Sequence, residues 1–242
     1  MKVVERWHSE RIGEEVAVAR WGTVGAPVLI FPTAGGDCEE IERFQLIAAL
    51  EGPLREGRIK VYSVDSVNGR AFMRSSDSRR IGWIMTAFDA VIRHEVVPAI
   101  RADCGSDEIE IVTAGASIGA FNALEVLCRH PDIFLAALCV SGTFDLTRWL
   151  KGPMTSDFFF SSPIHYLPTM PDNEQLARLR DRFVLFAHGL GRAEDPGESW
   201  RTADVLGLKG IPNRVDEWGP EWPHDWVTWR VMFPQLLDEL TS

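Results

Sequence analysis

The sequence predicts an α/β protein built on a mainly parallel sheet flanked by helices. Short continuous apolar runs such as Val28-Leu29-Ile30-Phe31 have the pattern of strands buried on both faces. Segments with helical spacing alternate with such runs along the chain, as in repeated βα units. No internal repeat, low-complexity tract or long linker interrupts the alternation.

Taken in order, Glu15–Trp21 alternates as an exposed strand would, and Val28–Phe31 is a buried one. A Pro32-Thr33-Ala34-Gly35-Gly36-Asp37 turn ends that run, and 39–50 follows with helical spacing. Ile59–Val64 reads as a strand. Over 79–102, Ile81, Ile84, Met85, Phe88, Ile92 and Val96 recur at three- and four-residue steps, which predicts an amphipathic helix disturbed at Pro98. Next come a strand over 108–114 and a helix over 120–130 that stops at Pro131, then a strand over Phe134–Val140. The irregular stretch 149–171, with several prolines and Phe158-Phe159-Phe160, suits a lid. Strands over 183–187 and 214–218 enclose a helix across 199–209, and a helix over 226–240 closes the chain.

Composition excludes several classes. The 242 residues are 45% hydrophobic and 25% charged, enough to bury a core without staples. A formal charge of −10, from 35 acidic and 25 basic residues, argues against a nucleic-acid partner, which needs a basic face. No segment approaches the roughly 20 apolar residues that span a bilayer, so no membrane association is expected. The opening MKVVERWHSERIGEE is charged and lacks the apolar stretch of a signal peptide. Cys38, Cys104, Cys128 and Cys139 lack CxxC spacing, and buried reduced thiols in a cytoplasmic protein are the expectation. A monomer or a homodimer fits equally.

The chemistry-bearing motif is Gly115-Ala116-Ser117-Ile118-Gly119, between an apolar strand and a helix. A serine on such a turn takes a strained backbone, and minimal flanking side chains avoid a clash. The turn lifts the hydroxyl above the sheet, at the positive end of the following helix. Read without chemistry, the same residues are a glycine-rich turn with an N-capping serine.

A serine nucleophile needs a base, and behind such a turn the partners follow in the order serine, acid, histidine. His8 and His94 precede the motif. His130 suits a helix C-cap, His165 lies in the lid-like stretch, and His188 follows a strand end. His224 is the best base, in a loop between the last strand and the last helix and among Trp222, Pro223 and Trp226. A metal pair of His224 and Asp225 lacks a third ligand at a recognisable spacing, so neither a metal nor another cofactor is expected. The acid belongs on the loop after 183–187, where Glu194 and Asp195 compete and pattern cannot choose; Asp145 is a third, weaker candidate. For an oxyanion, the Ile118 N–H and one from Ala34 or Gly35 are the expected donors, because small residues let backbone approach closely.

Together the elbow, the acid loop and His224-Asp225-Trp226 resemble the Putative esterase branch of the α/β-hydrolases, which groups esterase D-like proteins, feruloyl esterases and mycolyltransferases. The resemblance covers nearly the whole chain. It takes in Phe31 to Asp37, Ser63 to Ser66, Gly115 to Ala120, Arg129 to Asp132, Val140-Ser141-Gly142, Gly191 to Pro196 and Lys209 to Pro212. It implies the α/β-hydrolase fold: one domain over 1–242, a mostly parallel eight-stranded sheet with helices on both faces, and a short lid-like insertion around 149–171. It further implies Ser117 as nucleophile and His224 as base. Because the family's acid lies about thirty residues before the histidine, it favours Glu194 over Asp195. The chain departs from relatives at Ala120, where many have a second glycine, and at Arg192, near where some carry an acid. A small-molecule ester would then be cleaved through a Ser-His-acid triad and an acyl-enzyme. Acyl transfer to an acceptor other than water, or a silent binding module that keeps the fold, are the rival readings.

Overall fold

The computed structural model describes residues 2–241. Eight strands form one sheet: β1 (Lys2–Ser9), β2 (Glu14–Trp21), β3 (Ala26–Phe31), β4 (Ile59–Val64), β5 (Ile111–Ala116), β6 (Phe134–Val140), β7 (Phe183–His188) and β8 (Asn213–Glu217), in the spatial order β1-β2-β4-β3-β5-β6-β7-β8. From β4 to β8 every neighbouring pair is parallel, while β1 and β2 add an antiparallel edge. The chain runs from β3 to β4 on one side and then returns to β5 on the other. The crevice beyond the ends of β3 and β5 is therefore the switch point where open α/β sheets bind ligands.

Along the chain the helices are α1 (Glu40–Arg43), α2 (Leu46–Ala49), α3 (Glu51–Arg55), α4 (Val67–Arg74), α5 (Ser78–Val91), α6 (Val97–Cys104), α7 (Ile118–Arg129), α8 (Ser156–Ser161), α9 (Pro163–Tyr166), α10 (Glu174–Leu179), α11 (Pro196–Leu208) and α12 (Trp226–Thr241). They split between the two faces. On β3, Leu29 and Phe31 join the core under α4 to α11, while Val28 and Ile30 join the core under α1, α2 and α12. This two-residue alternation with both faces buried explains the absence of polar residues in Val28–Phe31. No helix among the described residues is long and apolar enough to cross a membrane. The four cysteines are unpaired, three of them buried and Cys104 partly so.

Several elements differ from expectation, each for a physical reason. The strand at Glu14–Trp21 is internal, with Val16 to Ala19 all buried, because β1 covers its edge. That outer strand carries Lys2, Glu5, Arg6 and His8, charges that suit a sheet edge and hide its β character. The expected helix over 39–50 breaks at Gln45, which takes φ 65, and the break lets Ile41, Leu46 and Leu50 all be buried in the core that holds α12. From Ser78 to Cys104 the chain stays helical through a π-helical turn at Ile92–Val96, just before Pro98. Proline cannot donate to the carbonyl four residues back, and the wider turn absorbs that misfit. α4 carried no recognised signal. Strand β5 begins later than expected and runs on to Ala116, so the serine follows it directly.

The stretch 149–171 divides in two. Its first residue, Trp149, borders the cavity described below, whereas α8 packs on α5. Phe158 is fully buried, and a Cβ at Gly82 on α5 would lie 2.6 Å from the Thr155 hydroxyl and 2.9 Å from the Phe158 nitrogen.

Backbone closeness is tightest at the start of α7. A Cβ on Gly115 would overlap the carbonyl of Gly119, and one on Gly119 would overlap the carbonyl oxygen of Phe31. Neither neighbour is a flexible side chain that can yield. Gly119→Ala is therefore expected to cost about 3 kcal/mol, lowering Tm by roughly 6–12 °C in a thermal unfolding scan. A Tm within about 1 °C of the parent would contradict this packing.

Candidate active site

Ser117 stands between β5 and α7 with φ 58 and ψ −123. For a residue with a Cβ this backbone costs roughly 1–3 kcal/mol and persists only where the surroundings enforce it. The surroundings here are specific: Ser117 N donates to the Val140 carbonyl at 3.1 Å, and its own carbonyl accepts from Ala120 N and Thr143 N, each at 3.2 Å. Two glycines, each too close to backbone for a side chain, complete the turn. Ser117 precedes α7 in the N-cap position, but its hydroxyl accepts no capping bond from the helix.

A cavity of about 510 Å³ opens above this turn. Ser117, Ile118, Ala34 and His224 all line it, together with Ser141, Asp195 and the apolar Phe72, Met73, Leu146 and Trp149. Gly35 lies one residue beyond Ala34 with φ 79, close against Met73. The turn that carries both is held from beneath by Glu40, a buried residue whose carboxylate accepts from Thr33 N and Thr33 Oγ1, each at 2.7 Å. Burial pushes the Glu40 carboxyl above its usual range, against the pull of those two bonds. No sequence motif marked Glu40.

The acid loop after β7 and the histidine loop after β8 are joined through backbone. Leu190 N donates to Gly219 O at 3.1 Å, Gly191 N to Trp222 O at 3.0 Å, and His224 N to Arg192 O at 3.0 Å. Gly189 and Gly191 permit this, since a Cβ on either would collide with the Trp222 carbonyl. The result brings His224 Nδ1 to 3.6 Å from Glu194 Oε2. The Glu194 side chain is 2% exposed and the His224 side chain 23%. Asp195, in contrast, has a side chain 52% exposed, 3.9 Å from Arg148, and precedes α11 as its N-cap residue. Of the two competing carboxylates, Glu194 is the one beside the imidazole.

The remaining candidates lie elsewhere. Asp145 spends its carboxylate on Thr147, accepting from its N at 3.0 Å and its Oγ1 at 2.5 Å; although burial raises that carboxyl, these bonds bring it below its usual range. His130 ends α7, as the sequence suggests, and meets Asp89 Oδ1 at 2.7 Å. His165 is bonded to Ser162, and His188 is buried 3.4 Å from Glu217. Among the described residues no three His, Cys, Asp or Glu side chains gather as a metal site.

Two contributors were given no role by the sequence. Ser141, at the end of β6, donates from Oγ to Glu194 Oε1 at 2.6 Å, and Trp229 packs edge-on against the His224 ring at 5.1 Å. At the mouth, Arg148 stacks on Trp149 at 4.2 Å, a cation–π contact.

Comparison with known proteins agrees with this architecture. A family model described as "Putative esterase" matches residues 63–240. No curated protein sequence matches the chain. Among solved structures, a ferulic acid esterase superposes with a TM-score of 0.77 at 15% identity, over 100% of this chain and 98% of its own. An S-formylglutathione hydrolase from Agrobacterium tumefaciens gives 0.73 at 12% identity, over 100% and 94%. A fluorophosphonate-binding serine hydrolase of Staphylococcus aureus gives 0.71 at 14%, over 100% and 98%. The match over most of the chain, on a sheet of this order, places the protein in the Putative esterase family of the α/β-hydrolases, as a carboxylesterase-type hydrolase.

Proposed function

We propose that the protein hydrolyses small carboxylic esters through Ser117, His224 and Glu194 by way of an acyl-enzyme. The observation that carries the reading is the backbone of Ser117, held at φ 58 at the head of a 12-residue helix and in one cavity with His224. A fold keeps such strain where something gains from it. Here it presents Oγ to the cavity and leaves the Ile118 N–H free to meet a developing oxyanion.

The steps follow from placement. His224 takes the Ser117 proton as Oγ attacks the ester carbonyl, and the oxyanion meets the N–H of Ile118 and one from Ala34 or Gly35. The tetrahedral centre collapses, His224 protonates the departing alcohol, and the acyl group stays on Ser117. His224 then activates water to release the acid. Glu194, nearly sealed from solvent, keeps the ring oriented and balances the imidazolium. Water is the acceptor we assign, because the His224 side chain is 23% exposed and solvent reaches it. The mouth offers Phe72, Met73, Leu146 and Trp149 to the substrate, which favours apolar or aromatic groups over highly charged ones. Phe158, in contrast, is core.

Three outcomes test this. Ser117→Ala should lower turnover of a p-nitrophenyl ester by about 10⁴-fold or more, and unchanged turnover would sink the reading. A fluorophosphonate probe should label Ser117 in the folded protein; an unlabelled serine would favour a silent binding module. Glu194→Gln should cut kcat about a hundredfold or more, while Asp195→Asn stays within about tenfold; the reverse ranking would exchange the two carboxylates.

A further inference from the structure

Glu194 has a second neighbour to which the ester-cleaving scheme gives no part. Ser141 Oγ donates to Glu194 Oε1 at 2.6 Å and accepts from Trp229 Nε1–H at 3.0 Å. Ser141 is 2% exposed and holds φ 46, a left-handed backbone that serine seldom adopts. Its backbone N–H is already engaged, donating to Ala187 O at 2.7 Å across to β7. The hydroxyl is therefore not needed to pair the strands.

Chemistry sets the direction of this chain. An indole N–H can only donate, so the Ser141 oxygen must accept there. Its single proton is then left for Glu194 Oε1, in the short bond already described. Oε1 is thus occupied, and Oε2 is the oxygen turned to His224. At 3.6 Å that second contact is longer than a hydrogen bond, so the tighter hold on the acid comes from Ser141. The same Trp229 that fixes the hydroxyl also packs against the His224 ring. One side chain from α12 therefore braces both the base and, through Ser141, its acid.

We propose that Ser141, oriented by Trp229, is a positioning residue that holds the Glu194 carboxylate in place and keeps Oε2 directed at His224. The inference rests on the Ser-His-Glu reading above. It assigns work to a residue that takes no part in the proton transfers proposed above.

The test separates positioning from packing. Ser141→Gly removes the hydroxyl while relieving the left-handed backbone, so folding should survive. With a p-nitrophenyl ester, kcat is expected to fall about tenfold or more, with KM and Tm near the parent values. In a Glu194→Gln background the same substitution should have no further effect on kcat, since the pair would act as one unit. Trp229→Phe, made in parallel, removes the indole donor and keeps a ring against His224; it should lower kcat by a smaller factor and likewise lose its effect beside Glu194→Gln. Parental kcat in Ser141→Gly, or effects that multiply independently with Glu194→Gln, would overturn the proposal. Fluorophosphonate labelling of the parent distinguishes the two failures: a labelled Ser117 with independent effects removes Ser141 alone, and an unlabelled Ser117 removes the triad reading beneath it.

Discussion

The site depends on how closely the head of α7 approaches the sheet. Gly119 sits against the carbonyl of Phe31 and Gly115 against Gly119, so the first turn of the helix rests on the ends of β3 and β5 with no side chain between. Ser117 takes its positive φ at this approach, and Ile118 lines the same cavity as Ala34. The cost is local strain, and the surrounding bonds to Val140, Ala120 and Thr143 offset it. Two other non-glycine residues that line the cavity share a positive φ: Ser141, just after β6, and Ala193, in the acid loop.

The other half of the site rests on a different device. Glu194 and His224 come from loops after β7 and β8, and neither loop is regular structure. Three backbone bonds and two glycines beneath the Trp222 carbonyl make them one body. The backbone that carries the imidazole is therefore tied to the backbone that carries Glu194.

Sequence legibility followed the same physics. The buried parallel strands were readable because both faces are apolar, and Phe134–Val140 matches at both ends. The positions of Ser117 and His224 around one cavity follow from strand–helix order, which restricts where each can lie. Which of Glu194 and Asp195 faces the imidazole could not be read that way, since adjacent residues differ only in which way a loop turns, and the resemblance alone favoured Glu194. β1 was hidden by its own charges, and the break at Gln45 by apolar spacing that a continuous helix would also satisfy. Ser141, which belongs to a stretch of the resemblance, and Glu40 could be given no role, because their partners lie far away in sequence or in a turn with no motif, and only the fold makes them neighbours.

Backbone bonds do not read side chains. The loop from Gly189 to Glu194 is tied to the histidine loop by N–H and C=O groups, while Leu190 and Arg192 point their side chains to solvent. Such positions can be exchanged during evolution or by design without shifting the acid they surround, provided the two glycines stay. The outer face of that loop is then free to drift while the backbone ties beneath it stand still, so one scaffold can vary its surface without disturbing the cavity it borders.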